Sequence, residues 1–197
     1  IYFLLSECYE SLEMYDEALS NLEEYRKIEG DTDEVLSKQA YLYLERNEYL
    51  KALSIVEKGL ESKPYSLDLN MIAGEIEFRR QRYKEAELYY LSIYPTNKEN
   101  FHLVDRLAIV CIKEEDYQQA AYYTEELLDI DPNNLAVKQR LALLYFEIGD
   151  KTHFNTILDQ FTDSELLSLF ELIYTPQSSG PLDRDILISY LNKAREA

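Results

Sequence analysis

Three features of the 197-residue sequence predict an all-α fold built from repeated helix pairs. The chain is 46% hydrophobic and 29% charged, enough apolar material for a continuous core. With 5 Gly and 5 Pro, few positions force the backbone to turn, which favours long helices. Most decisive is a period: Ala18, Ala52, Ala86 and Ala120 recur every 34 residues.

Each alanine follows a tyrosine by three positions, in the segments opened by Tyr15, Tyr49, Tyr83 and Tyr117. Twelve positions before each alanine stands a mostly small residue, Ser6, Ala40, Gly74 or Ala108, and Ala142 continues the row. Small side chains there let two helices approach closely. Ile1, Val35, Leu69, Leu103 and Val137 form one apolar row, and Cys8, Leu42, Ile76, Val110 and Leu144 another seven residues on. Spacings of three, four and seven lie on one helical face, so this stripe predicts the first helix of each pair. A second stripe follows each alanine, through Leu22 and Tyr25, Val56 and Leu60, Tyr90 and Ile93, and Leu127 and Leu128. It predicts the second helix.

The breakers agree with these boundaries. Gly30 suits a helix C-cap, Pro64 and Pro132 fall in turns between pairs, and Pro95 ends a helix near Tyr94. The turn within each pair is expected to be short and polar. Residues 147–150 end the first helix of a fifth pair.

The 34-residue period, the alanine row, Leu107 with Ala108, Leu141 with Ala142 and Tyr145, and the closing Pro64 and Pro132 resemble the tetratricopeptide repeat family. The resemblance covers residues 1–150, about four and a half units with the first truncated. It implies an α-solenoid, a right-handed superhelix of antiparallel helix pairs with a concave groove. The chain departs from the family pattern in having no Trp and in placing Glu77 and Cys111 at a first-helix aromatic slot.

Beyond Asp150 the pattern decays. Lys151 stands at the tyrosine slot and Phe154 at the alanine slot, where a bulky ring is expected to alter packing. Residues 151–197 are therefore expected to form a degenerate repeat and capping helices. Thr162 with Glu165 predicts a capping box ahead of a buried apolar helix. After a loop at 175–180, Leu182, Ile186, Leu187, Tyr190, Leu191 and Ala194 predict a final amphipathic cap.

Charge narrows the partners. A net charge of −18 repels phosphate backbones and anionic membrane surfaces, so neither nucleic acid nor direct membrane binding is expected. No apolar run approaches the roughly 18 to 20 residues of a spanning helix. Cys8 and Cys111 lie in apolar runs without metal or disulfide spacing and read as core thiols. The sequence opens at Ile1, inside a helical pattern, so an upstream stretch is expected, and the compartment stays open.

In the family the first helix of each pair lines the groove. The resemblance places Tyr41, Leu44, Met71, Glu75, Phe78, Ile109, Ile112, Leu143 and Phe146 on or near it, with filling of the seam between repeats as the alternative for Leu44, Ile112 and Phe146. Arg79, Arg106, Lys113 and Arg140 form a basic stripe on successive first helices. Guanidinium donors match carboxylate geometry, so an acidic segment or C-terminal carboxylate is the expected ligand; ordinary surface ion pairs are the alternative. The family's terminal-carboxylate clamp is not matched: Ser37, Met71 and Asp105 stand where a Lys is needed, and Tyr41, Glu75 and Ile109 where an Asn is.

The expected function is a scaffold or adaptor that binds another protein or a peptide. A peptide-sensing regulatory module, or a substrate-docking accessory domain of a larger enzyme, is the alternative. The chain offers two histidines, His102 and His153, and neither an HExxH helix nor a phosphate loop. No enzyme activity, cofactor or metal is expected.

Overall fold

The computed structural model describes residues 1–162, 164–166 and 168–169. Among them there are helices and turns and no strands. The helices fall into pairs: α1 (Tyr2–Ser11) with α2 (Tyr15–Glu29), α3 (Asp33–Glu45) with α4 (Tyr49–Ser62), and α5 (Leu67–Arg79) with α6 (Tyr83–Ile93). They continue with α7 (Phe101–Lys113) and α8 (Tyr117–Ile130), then α9 (Leu135–Ile148) and α10 (Lys151–Leu158). A 3-10 turn at Tyr94–Thr96 follows α6, as Pro95 requires. The chain groups into two compact units, residues Ile1–Lys98 and the part from Glu99 onward.

The alanine row is what lets each pair close. Ala18, Ala52, Ala86 and Ala120 are all fully buried, as are Ser6, Ala40, Ala108 and Ala142 opposite them. Gly74 shows why small residues are needed: a Cβ there would lie 2.3 Å from Tyr90 Cε1, and Tyr90 is itself fully buried. In the first unit, Leu36, Leu44, Val56, Leu69 and Ile76 join Ala40 and Ala52 in one core that ties α3, α4 and α5 together. Leu42 packs on Ala18 and Leu22 of the preceding pair. In the second unit α8 packs on α7 and α9, and α10 on α9.

Cys111 is buried as the sequence predicts, but Cys8 is exposed. In its row Leu42 is covered by Ala18 and Leu22 of the pair before it; Cys8 sits in the first pair, where no described helix fills that role. At the fifth alanine slot Phe154 is fully buried against Phe146, with ring centroids 5.9 Å apart.

The turns follow the same period. Each pair turns at one residue in the left-handed region: Glu13, Asn47, Gln81 and Glu115 at φ 59 to 61°, and Gly149 at φ 79°. The next residue donates its N–H to the carbonyl five positions back, as Met14 does to Tyr9 at 2.9 Å and Asp150 to Tyr145 at 3.0 Å. This closes the last turn of the first helix. Between pairs, Thr32, Asn100 and Asn134 occupy one slot of the period and accept from the N–H of Val35, Leu103 and Val137. Ser66 holds the same slot without a side-chain capping bond, and the row Thr32, Ser66, Asn100 and Asn134 is visible in the sequence at the 34-residue period although no apolar stripe passes through it.

Half of the expected capping box is present: Glu165 Oε2 accepts from Thr162 N at 2.7 Å and from the Thr162 hydroxyl at 2.8 Å, and Leu166 and Leu169 beyond it are buried. The loop at 175–180 and the final amphipathic helix lie outside the described residues.

Candidate interaction surface

In the first unit, the face of α3 and α5 carries Tyr41, Met71, Glu75, Phe78 and Arg79, at helical spacings that keep them in register. Tyr41 is 37% exposed, and Met71 and Phe78 are half-buried. Phe78 packs edge-on against Tyr83, with centroids 5.4 Å apart. Leu44 is 1% exposed and belongs to the core, so it fills the seam between repeats.

Arg79 is bound within the protein. Its Nε lies 2.9 Å from Glu75 Oε1 and its Nη2 2.9 Å from Glu45 Oε1. Two carboxylates therefore bracket one guanidinium. Burial pushes the Tyr41 phenol up, helped by Glu45 and Glu10, and burial followed by Glu13 and Glu45 does the same to Tyr15. This face is apolar at its centre and acidic around Arg79. Glu45 was missing from the sequence-based site, although its signal, an opposite charge one period before Arg79, is visible in the sequence.

In the second unit, α7 and α9 carry the remaining residues. Ile109, Ile112 and Leu143 are half-buried, and Phe146, at 5% exposure, is core. Arg140 Nη1 bonds Asp105 Oδ1 at 2.6 Å across the two helices. Arg106 is half-buried and Lys113 exposed. The structure thus brings the predicted residues into two sets, one in each unit, and removes Leu44 and Phe146 to the core. Arg79 and Arg140 are spent on ion pairs between successive repeats.

Among the described residues, no group of three or more His, Cys, Asp or Glu is arranged to hold a metal ion. No helix among them is long and apolar enough to cross a membrane.

Antiparallel helix pairs stacked at a fixed period, with partly apolar first-helix faces left at the surface, define a helical-repeat protein. A tetratricopeptide repeat family model matches residues 112–165. Among solved structures, the chain is similar to "MamA 41-end from Desulfovibrio magneticus RS-1" at 18% identity and TM-score 0.67, covering 90% of this chain and 96% of that one. It is similar to "MamA RS-1 ArsTM double mutant" at 17% identity and TM-score 0.68, covering 88% and 94%. A third, "YrrB: a TPR protein with an unusual peptide-binding site", shares 15% identity at TM-score 0.63, covering 80% and 81%. None of the curated proteins matches the chain. With the 34-residue period and the helix pairs described above, these likenesses support a tetratricopeptide-type repeat fold for the chain.

Proposed function

We propose that the chain is a scaffold that binds another protein or a peptide through the first-helix faces of its repeats. The observation that carries this reading is the set of apolar side chains the cores leave partly open: Tyr41, Met71 and Phe78 in one unit, Ile109, Ile112 and Leu143 in the other. Grouped apolar surface of this kind is used for association more often than scattered single residues are. The likeness to a repeat protein described as having a peptide-binding site supports the same reading. Tetratricopeptide repeat proteins are generally non-catalytic scaffolds. No observation favours a regulatory module or an enzyme's accessory domain over a scaffold.

The finer reading, an acidic segment or C-terminal carboxylate as ligand, rests on Lys113, which is exposed and makes no ion pair among the described residues. Arg79 and Arg140 contribute less to it because each already holds a carboxylate.

Affinity capture from native lysate tests the reading. Tyr41→Glu with Met71→Glu, and separately Ile109→Glu with Leu143→Glu, are compared with wild type after circular dichroism shows each to be folded. Loss of the same captured proteins supports the first-helix faces; undiminished capture by both variants excludes them. Loss on Lys113→Glu alone identifies an acidic ligand.

A further inference from the structure

On the opposite side of the first unit, α4 and α6 form the walls of a cleft of about 660 Å³ whose floor is α5. Leu53, Leu60 and Tyr89 line it, and Tyr65 and Leu88, 77% and 68% exposed, stand at its rim. Apolar side chains this open gain nothing from the fold. Three carboxylates share the cleft: Glu57, Glu77 and Glu85.

Glu77 is the unusual one. It is 3% exposed, and its Oε1 accepts from Arg80 Nη1 at 2.7 Å. Its Oε2 is buried without a hydrogen-bond partner, with Arg82 Nη1 3.7 Å away. Burying a carboxylate oxygen without a donor is costly, and a donor brought by a ligand relieves that cost. Glu57 and Glu85 are exposed and make no ion pair among the described residues, so Arg80 and Arg82, both on Glu77, leave the charges of Glu57 and Glu85 without a partner. Burial pushes the Tyr89 phenol up, with Glu57 and Glu77 next in effect, which agrees with both carboxylates facing the cleft.

The same position two periods later shows that these charges are no requirement of the repeat. In the second unit a cleft of about 400 Å³ is lined by Glu125, Tyr145, His153 and Ile157, the counterparts of Glu57, Glu77, Glu85 and Tyr89. There Glu125 is taken by the Tyr145 hydroxyl, and His153 Nδ1 lies 2.7 Å from Asp150 Oδ2. Glu125 of the second cleft thus has an internal donor, whereas its counterpart Glu57 in the first, like Glu85, has none among the described residues.

We propose that the cleft between α4 and α6 binds a cationic peptide segment, with a Lys or Arg side chain directed to Glu57, Glu77 and Glu85 and a neighbouring apolar side chain against Leu60, Leu88 and Tyr89. Charge complementarity selects this occupant: the cleft repels an acidic peptide, and its apolar walls suit an amphipathic segment better than a free cation.

The test uses a fluorescein-labelled amphipathic peptide of Leu and Lys, titrated with the whole chain at physiological salt and followed by anisotropy. Because the chain is acidic throughout, a control of equal charge change is required. Glu57→Gln with Glu85→Gln is expected to weaken binding about tenfold, while Glu115→Gln with Glu147→Gln changes it less than about twofold. Leu88→Ser is expected to weaken it several-fold with charge unchanged. Equal losses in the two charge variants would mean diffuse attraction and overturn the proposal, as would failure of the wild-type chain to bind the peptide.

Discussion

Arg79 on α5 and Glu45 on α3 stand one 34-residue period apart and meet at 2.9 Å, so the repeat spacing itself brings the pair together. Asp105 and Arg140, 35 residues apart, also meet across successive first helices in the second unit, at 2.6 Å, and Glu10 and Lys38 pair across α1 and α3. These contacts join neighbouring repeats where the apolar seam reaches the surface. A double-mutant cycle on Arg79→Gln and Glu45→Gln is expected to give a coupling of about 0.5 to 1 kcal/mol, the scale of partly exposed pairs. Urea unfolding of the four proteins measures it. A coupling of zero would release Arg79 from its structural role and return it to the candidate ligand contacts.

Gly74→Ala tests the close approach within a pair. Alanine is the better helix former by about 1 kcal/mol, yet its Cβ would sit 2.3 Å from a ring atom of fully buried Tyr90. Overpacking prevails, and a net loss of about 1 to 3 kcal/mol is expected in thermal or urea unfolding.

The left-handed turn residues predict changes of opposite sign. Gln81 and Glu115 occupy φ 61° without being glycine, whereas Gly149 meets the same need at φ 79°. Gln81→Gly and Glu115→Gly are each expected to stabilise the chain by about 0.5 to 1 kcal/mol, and Gly149→Ala to cost about as much. Melting temperatures of the three variants check the signs.

Asp31 gives a pH dependence. Hydrogen bonds from Arg26 Nε and Lys58 Nζ, both at 2.5 Å, hold its carboxyl at about 2, below its ordinary 3.8. A depressed value stabilises the folded state above pH 4, and that contribution is lost as pH falls towards 2. The side chain is 34% exposed, so solvent screening limits the contribution to about 1 kcal/mol or less. Asp31→Asn is expected to be less stable than wild type at pH 7 and equal to it near pH 2, by urea unfolding at each pH.

The fold was legible because its strongest constraint is steric and recurs. Ala18, Ala52, Ala86 and Ala120 must be small wherever two helices touch, and the apolar rows must face inward at helical spacing. The turn geometry was not legible, since Glu13, Asn47, Gln81 and Glu115 enter the left-handed region under tertiary demand and only Gly149 announces it. The interaction surface was read in part. The family resemblance placed Tyr41, Met71 and Phe78 on one face, but whether Leu44 or Phe146 pointed inward depended on packing against neighbours. Arg79 and Arg140 looked like ligand contacts because their partners, Glu45 and Asp105, lie a whole repeat away.

The most direct test of the scaffold reading is site-specific photo-crosslinking with a benzophenone amino acid in place of Tyr41, of Leu143 and, as a control, of exposed Ile28 on α2. The scaffold reading predicts discrete protein adducts in native lysate from Tyr41 and Leu143 and none from Ile28. Adducts from Ile28 at the same yield, or none from Tyr41 and Leu143, would contradict binding through the first-helix faces.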